Sequence, residues 1–221
     1  MGKKFKVDEE KPPKEERVKL ISITPDAEKL IAYCARVSSK NQDNPNIEKL
    51  LTYCYEHGHW SVFETAYVTV EINTSRAISA QILRHRSFTF QEFSQRYAEV
   101  PKFETYDARR QDKKNRQKSV DDMGFADKHW FECAQDRVQT VSSFLYNEAL
   151  DKGIAKEQAR FLLPLSSKTK LYMTGNVRSW IHYCDQRCKW DTQQEHRDIA
   201  LKIREILKQE LPIIAKAVAW K

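Results

Sequence analysis

Along residues 65–73, TAYVTVEIN, the apolar Ala66, Val68, Val70 and Ile72 alternate with Thr65, Tyr67, Thr69 and Glu71. A period of two puts each set on its own face, so the stretch predicts a half-buried β-strand. Elsewhere the period is helical. Thr24-Pro25-Asp26 offers an N-cap, a proline at the first helical position and an early acid, and Leu30, Ile31 and Cys34 then recur at helical spacing. A helix over about 25–37 follows. Asn44-Pro45 opens a second helix with Ile47, Leu50, Leu51 and Cys54 on one face, and Gly58 is placed to cap its C-terminus.

Beyond the strand, Ile78, Ile82 and the small residues around them predict a helix over about 74–86. Its three- and four-residue spacings would bring Gln81, Arg84 and His85 onto neighbouring faces, so that polar groups converge at its C-terminal end. The stretch YDARRQDKKNRQKSVDD, 106–122, within a charged excursion at about 104–122, is too polar to bury and predicts a mobile loop or an exposed helix with its six basic residues in solvent. Ala134, Val138, Val141, Leu145 and Ala149 mark a long amphipathic helix stopping near Gly153. A shorter helix, about 155–163, ends before Pro164, and helices over about 175–187 and 193–211 complete a helix-rich C-terminal half. No internal repeat is present.

The 221 residues suit one domain with a sizeable core. Residues 1–17, MGKKFKVDEEKPPKEER, mix both charges around a Pro-Pro pair without an amphipathic period and read as a flexible lead-in; residues 18–221 read as a single catalytic domain. No apolar run reaches the roughly 20 residues that cross a bilayer, and the charged N-terminus lacks a signal peptide's apolar core. The five cysteines are an odd number without a CxxC pair, which argues against a disulfide framework or zinc ribbon and suits a reducing cytoplasm, or a host's cytoplasm for a phage-encoded chain. A net charge of +7 implies attraction to anions without saying which.

RHRSFTFQEFSQRY, 84–97, narrows the choice to three. Its arginines could hold nucleic-acid phosphates while Phe88, Phe90 and Phe93 stack on bases, but the glycines of a ribonucleoprotein strand motif are missing and Glu92 would sit among phosphates. The phenylalanines could equally be core and the arginines solvated. In a third reading, guanidinium forks grip the phosphate of one small nucleotide while Glu92 and Ser94 orient its sugar or base. NVRSWIHYCDQR, 176–187, supports the third: Arg178, His182 and Gln186, four apart, form one polar helical stripe between Asn176 and Arg187, with Val177, Ile181 and Cys184 opposite. His57 and His59 in HGHWSVFE form an HxH pair without a third placeable ligand, so they read as polar turn residues and no metal is expected. No Walker loop, GxGxxG or HExxH occurs. Ser94 has no histidine placed to deprotonate it, which argues for binding rather than attack.

These segments together resemble the flavin-dependent thymidylate synthases. Arg84-His85-Arg86 followed by seven residues and Ser94 is similar to that family's signature, and CARVS at 34–38, HGHxxxFE at 57–64, ARFLLPL at 159–165, NVRSWxHYCDQR at 176–187 and Gln193/Glu195 follow in the family's order over roughly 25–215. Gln194 stands where the family often has tryptophan. The resemblance implies a mixed α/β fold, a thymidylate synthase-complementing protein fold with a central sheet flanked by helices, in a homotetramer with active sites between subunits. It implies FAD, dUMP, 5,10-methylenetetrahydrofolate and NADPH: NADPH reduces the flavin, the folate's methylene passes to uracil C5, and flavin hydride completes the methyl group of dTMP without a cysteine nucleophile. By the same resemblance Gln81, Arg84, Glu92, Ser94, Gln95, Arg96, Arg160 and Arg187 would hold dUMP. Ser38, Ser61, Arg84, His85, Arg86, Glu92, Asn176, Arg178 and His182 would hold FAD. His59 would shape the folate and nicotinamide face. Arg187 would be the catalytic cation, because a fixed positive charge lowers the barrier to building negative charge on the ring.

Overall fold

The computed structural model describes residues 16–99 and 102–220, so most of the expected 1–17 lead-in lies outside the described residues. Strand β1 (Val18–Ile23) leads to helices α1 (Ala27–Ala35) and α2 (Glu48–Glu56), and a 3-10 turn at Trp60–Glu64 precedes strand β2 (Tyr67–Ser75). Helix α3 (Arg76–Ile82) and strand β3 (Thr89–Glu92) follow, then the short strands β4 (Arg110–Gln111) and β5 (Ser119–Val120). The C-terminal half holds helix α4 (Phe125–Asp151), helix α5 (Lys156–Ala159) with a 3-10 turn at Arg160–Leu162, strand β6 (Lys168–Asn176), and helices α6 (Val177–Arg187), α7 (Gln194–Glu210) and α8 (Pro212–Ala217).

Four strands form one antiparallel sheet in the order β1-β2-β6-β3. The predicted strand is its centre: Ala66, Val68, Val70 and Ile72 are all fully buried, and β2 pairs with β6 from Tyr67 opposite Asn176 to Ser75 opposite Lys168. The buried side chains of β2 and β6 share one core with residues of α1, α2, α3, α6, α7 and α8. The other face of these strands carries polar pairs such as Thr69–Thr174 (2.9 Å) and Glu71–Lys170 (3.2 Å). The mixed α/β class with a helix-rich C-terminal half is as expected.

Several boundaries differ from the periodicity. Thr24 does not cap α1: its hydroxyl accepts the Tyr67 N–H (2.9 Å) and its own N–H donates to the Tyr67 carbonyl (3.0 Å), so this residue extends the sheet and Asp26, at φ 49°, begins the helix. Gly58 does take the left-handed conformation, at φ 69°, one residue past the C-cap of α2. The helix expected over 74–86 spans only 76–82, because buried Thr74 and Ser75 remain paired to β6. The helix expected from 175 likewise starts at Val177, β6 holding residues through Asn176.

The charged excursion is neither a loose loop nor a helix. Strands β4 and β5 pair as a hairpin, and the Asp112 carboxylate closes its turn by accepting the Lys114 and Asn115 N–H groups, each at 2.8 Å. One of its six basic residues is not solvated: the side chain of Arg109 turns inward to Glu195, with 17% and 9% of the two side chains exposed.

Candidate active site

Two strand-to-helix transitions without loops build the site. At Ser75–Arg76 β2 runs into α3, and at Asn176–Val177 β6, its partner, runs into α6. The Asn176 carboxamide accepts the Ser179 N–H (2.9 Å), satisfying one orphan donor of the first turn of α6. That helix buries Val177, Trp180, Ile181, Tyr183 and Cys184, which leaves Arg178, His182 and Gln186 on the exposed stripe that their spacing predicts.

After Ile82 the chain turns repeatedly: the N–H groups of Arg84, His85 and Phe88 donate to the carbonyls of Gln81 (3.3 Å), Ile82 (3.1 Å) and His85 (3.2 Å). Phe88 anchors these turns, its ring 4.6 Å from that of Trp180 and almost wholly buried. A ring used this way cannot stack on a base. Arg84 and Arg86 are exposed, with no side-chain ion pair among the described residues.

His85 faces inward against Tyr183 (5.0 Å between centroids), and its Nε2 accepts a hydrogen bond from Arg187 Nε at 2.9 Å. Burial, then the neighbouring Arg187 and His182, push the His85 pKa down to about 4, so the ring is a neutral acceptor at pH 7. Arg187 is thereby held through Nε, and its two terminal nitrogens have no protein hydrogen-bond partner among the described residues. A pinned cation with a free fork is suited to an anionic or carbonyl-bearing ligand.

Behind this pair stands His196, fully buried, which the motifs did not single out. It meets the Tyr183 hydroxyl through Nε2 (3.1 Å) and Gln81 Oε1 through Nδ1 (3.4 Å). Burial, then Arg187 and His85, hold its pKa down near 3. A signal was there: 196, 199, 200, 203 and 207 are the buried stripe of α7, so the spacing places this histidine among apolar residues. Arg109 was also missed, because a charge run gives no cue that one member turns inward.

A second group of expected residues lies along the chain after β3. The Arg96 N–H donates to Ser94 Oγ (3.3 Å), Arg96 Nη2 donates to Glu157 Oε2 (3.3 Å), and Arg160 Nε donates to the Glu157 carbonyl (3.2 Å). Gln95 Nε2 is buried without a hydrogen-bond partner among the described residues. Among the described residues no hydrogen bond or ion pair joins this group to Arg84 or Arg187. Glu92 is a strut between elements: its carboxylate accepts from Ser79 (2.6 Å) and Thr169 (3.0 Å) and pairs with Arg76 (2.5 Å).

A third group forms a groove of about 640 Å³ lined by Asn176, Arg178, Ser179 and His182 of β6 and α6, by Ser87, and by Trp60 and Glu64 of the 3-10 turn. Arg178 pairs with Glu64 across it. Ser61 sits in the same turn but is exposed and does not line the groove, and Ser38 is exposed on the loop after α1. His59 is exposed beside Tyr53, 5.6 Å between centroids. Among the described residues no cluster of three or more His, Cys, Asp or Glu could hold a metal ion.

Residues 19–213 match the family of the thymidylate synthase complementing protein. A flavin-dependent thymidylate synthase of Synechocystis is 58% identical over 193 residues, 87% of this chain and 90% of the relative. The chain belongs to the flavin-dependent thymidylate synthase family. A probable member from Paramecium bursaria Chlorella virus 1 is 53% identical over 91% of this chain and 98% of its own length. Among solved structures, a UMP/dUMP methylase, PolB, from Streptomyces cacaoi, bound with 5-Br dUMP, superposes with a TM-score of 0.82 at 25% identity, covering 91% of this chain and 94% of that one.

The groove combines the Arg178 guanidinium, the polar groups of Ser87 and Asn176 and an aromatic wall at Trp60 with two acids, Glu64 and Asp185, so a diphosphate-bearing group such as a flavin dinucleotide would fit there by displacing Glu64 from Arg178.

Proposed function

We propose that this protein is an FAD-dependent thymidylate synthase that methylates dUMP to dTMP, with 5,10-methylenetetrahydrofolate as carbon donor and NADPH as reductant. The observation that carries the reading is Arg187, fixed through Nε by a neutral His85, with its terminal nitrogens free of hydrogen-bond partners among the described residues. Uracil C5 becomes nucleophilic as negative charge spreads onto the ring carbonyls and N3, and a preorganised guanidinium there lowers that barrier without reorganising. Bound FAD supplies the hydride chemistry.

In this reading Gln81, Arg84, Glu92, Ser94, Gln95, Arg96, Arg160 and Arg187 serve dUMP. Ser38, Ser61, Arg84, His85, Arg86, Glu92, Asn176, Arg178 and His182 serve FAD, with His59 on the folate and nicotinamide face. The nucleotide phosphate carries close to two charges, and Ser94, Arg96 and Arg160 offer it a hydroxyl and two guanidiniums. Among the described residues no hydrogen bond or ion pair ties this group to Arg187, and we assign the joining of the two halves of the site to a second subunit. A homotetramer also accounts for α4, whose Val138, Val141, Phe144 and Leu145 are exposed alongside Phe161 and Leu165.

No thiol nucleophile is used. All five cysteines are free, and Cys184 is buried with its thiol pushed up by its hydrogen bond to Cys188 and by burial. Residues 18–221 act as one catalytic unit in a reducing cytoplasm.

Reconstitution tests the reading. Purified protein incubated with FAD and freed of unbound flavin should keep the flavin absorption bands, and dUMP should perturb them. A protein that stays colourless after that step, and that binds single-stranded nucleic acid with affinity falling by about one power of salt per phosphate contact, would support the nucleic-acid-binding module instead.

A further inference from the structure

Behind the candidate site the polar contacts form a relay with one direction. The Gln81 carbonyl oxygen can only accept, so His196 Nδ1 carries the proton and donates to it (3.4 Å); neutral His196 then accepts at Nε2 from the Tyr183 hydroxyl (3.1 Å). Gln81 Nε2 donates to Gln193 Oε1 (2.5 Å), and Gln193 Nε2 donates to Glu195 Oε2 (2.9 Å). The other Glu195 oxygen accepts from Arg109, which fixes the acceptor end with a charge pair. Each donor in the sequence Tyr183, His196, Gln81, Gln193 points toward the carboxylate. Reversing any one amide would set two donors or two acceptors face to face.

Gln81 is where this relay meets the ligand side. Its backbone carbonyl, separate from the carboxamide, accepts the Arg84 N–H at the start of the RHR turn, and the His196 ring that holds its carboxamide lies 6.1 Å from the His85 ring that holds Arg187. After both relay bonds the Gln81 carboxamide keeps one N–H and one oxygen lone pair, at defined positions.

We propose that His196 is a positioning residue for nucleotide recognition, locking the Gln81 carboxamide so that its spare N–H and lone pair meet dUMP in one orientation only. The proposal rests on the function proposed above. An amide free to flip would present the wrong partner to a ligand group half the time, and would lose rotational freedom only on binding. The relay removes that freedom before the nucleotide arrives.

Covalent geometry supplies the test. An asparagine side-chain nitrogen is one bond from Cγ, as is Nδ1 of histidine, whereas a glutamine nitrogen is one bond farther and replaces Nε2. His196→Asn therefore keeps a donor toward Gln81, and His196→Gln does not. In FAD-loaded enzyme with saturating folate and NADPH, the expected result is a rise of about tenfold in the KM for dUMP with H196Q, a smaller rise with H196N, and kcat changed less than KM in both. A packing role alone predicts the opposite ranking, since glutamine fills more of the histidine volume. Equal KM values in the two variants, or a loss confined to kcat, would overturn the proposal.

Gln193 is exposed, so Gln193→Ala tests the relay without disturbing the core. It should raise the KM for dUMP in the same direction, and an unchanged value would overturn the proposal even if both His196 variants misfold. Equilibrium dialysis with labelled dUMP on wild-type protein separates the two claims. No binding there sinks the functional reading and this inference with it; binding with indifferent variants sinks the relay alone.

Discussion

Gly175→Ala is a one-methyl test of how the RHR turn is anchored. Gly175 lies in β6 opposite Val68, and a Cβ there would sit 2.4 and 2.5 Å from Phe88 Cδ1 and Cε1. Carbon atoms in contact rest about 3.5–4.0 Å apart, so the overlap exceeds about 1 Å. Phe88 cannot withdraw easily, with Trp180 at 4.6 Å and Tyr183 at 6.0 Å between centroids. Overpacking of this kind costs about 1–3 kcal/mol, and replacing a strand glycine returns at most about 1 kcal/mol of chain entropy. A net loss of about 1–2 kcal/mol should lower Tm by roughly 2–8 °C for a chain this long. The displaced ring also drags His85, whose carbonyl accepts the Phe88 N–H, so flavin affinity should fall together with stability. Thermal melts and flavin titrations of Gly175→Ala, Phe88→Leu and the double variant measure this. The smaller leucine should relieve the clash, giving a favourable coupling of about 1 kcal/mol. A Gly175→Ala protein as stable as wild type, or strictly additive variants, would refute the reasoning.

The remaining predictions concern charge and chemistry. His85 and His196 have native pKa values near 4 and 3 against 6.5 for a free histidine, so the unfolded chain takes up protons first as pH falls. The stability that they contribute is complete above about pH 6.5 and declines steadily below it toward their native values. Denaturant midpoints at pH 7 and pH 5 should therefore fall farther in wild type than in His196→Asn, and equal drops would contradict the burial argument. Arg187→Ala should abolish dTMP formation while the flavin spectrum persists; normal turnover would remove the proposed role of its guanidinium. Cys184→Ser and Cys188→Ser should retain activity, although the Cys184 hydrogen bond holds the Cys188 thiol below its usual pKa. Complete loss in a folded variant would point to thiol chemistry.

Where one physical demand dominated, the sequence was easy to read. The alternation of β2 and the two faces of α6 are set by burial alone, and both emerge at the expected residues. Boundaries failed where two demands competed. Thr24 is a good cap in isolation, yet a sheet edge offered its hydroxyl a partner 43 residues away. β6 carries the alternation of Thr169, Leu171, Met173 and Gly175, but its lysines and short length of apolar signal hid it beside a stronger helical period. β1 and β3 went unseen for a similar reason, β3 having only four residues and none fully buried. At the site, the exposed arginines were legible because guanidiniums are conspicuous. His196 and Arg109 were not, since their roles depend on residues brought together only by the packing of α3, α6, α7 and the hairpin.

The central claim is tested most directly by incubating the FAD-loaded protein with dUMP, 5,10-methylenetetrahydrofolate and NADPH and separating the nucleotides by chromatography. The account predicts dTMP and oxidised NADP+, both dependent on added or bound FAD. Flavin-loaded, folded protein that consumes NADPH but leaves dUMP unmethylated would contradict it.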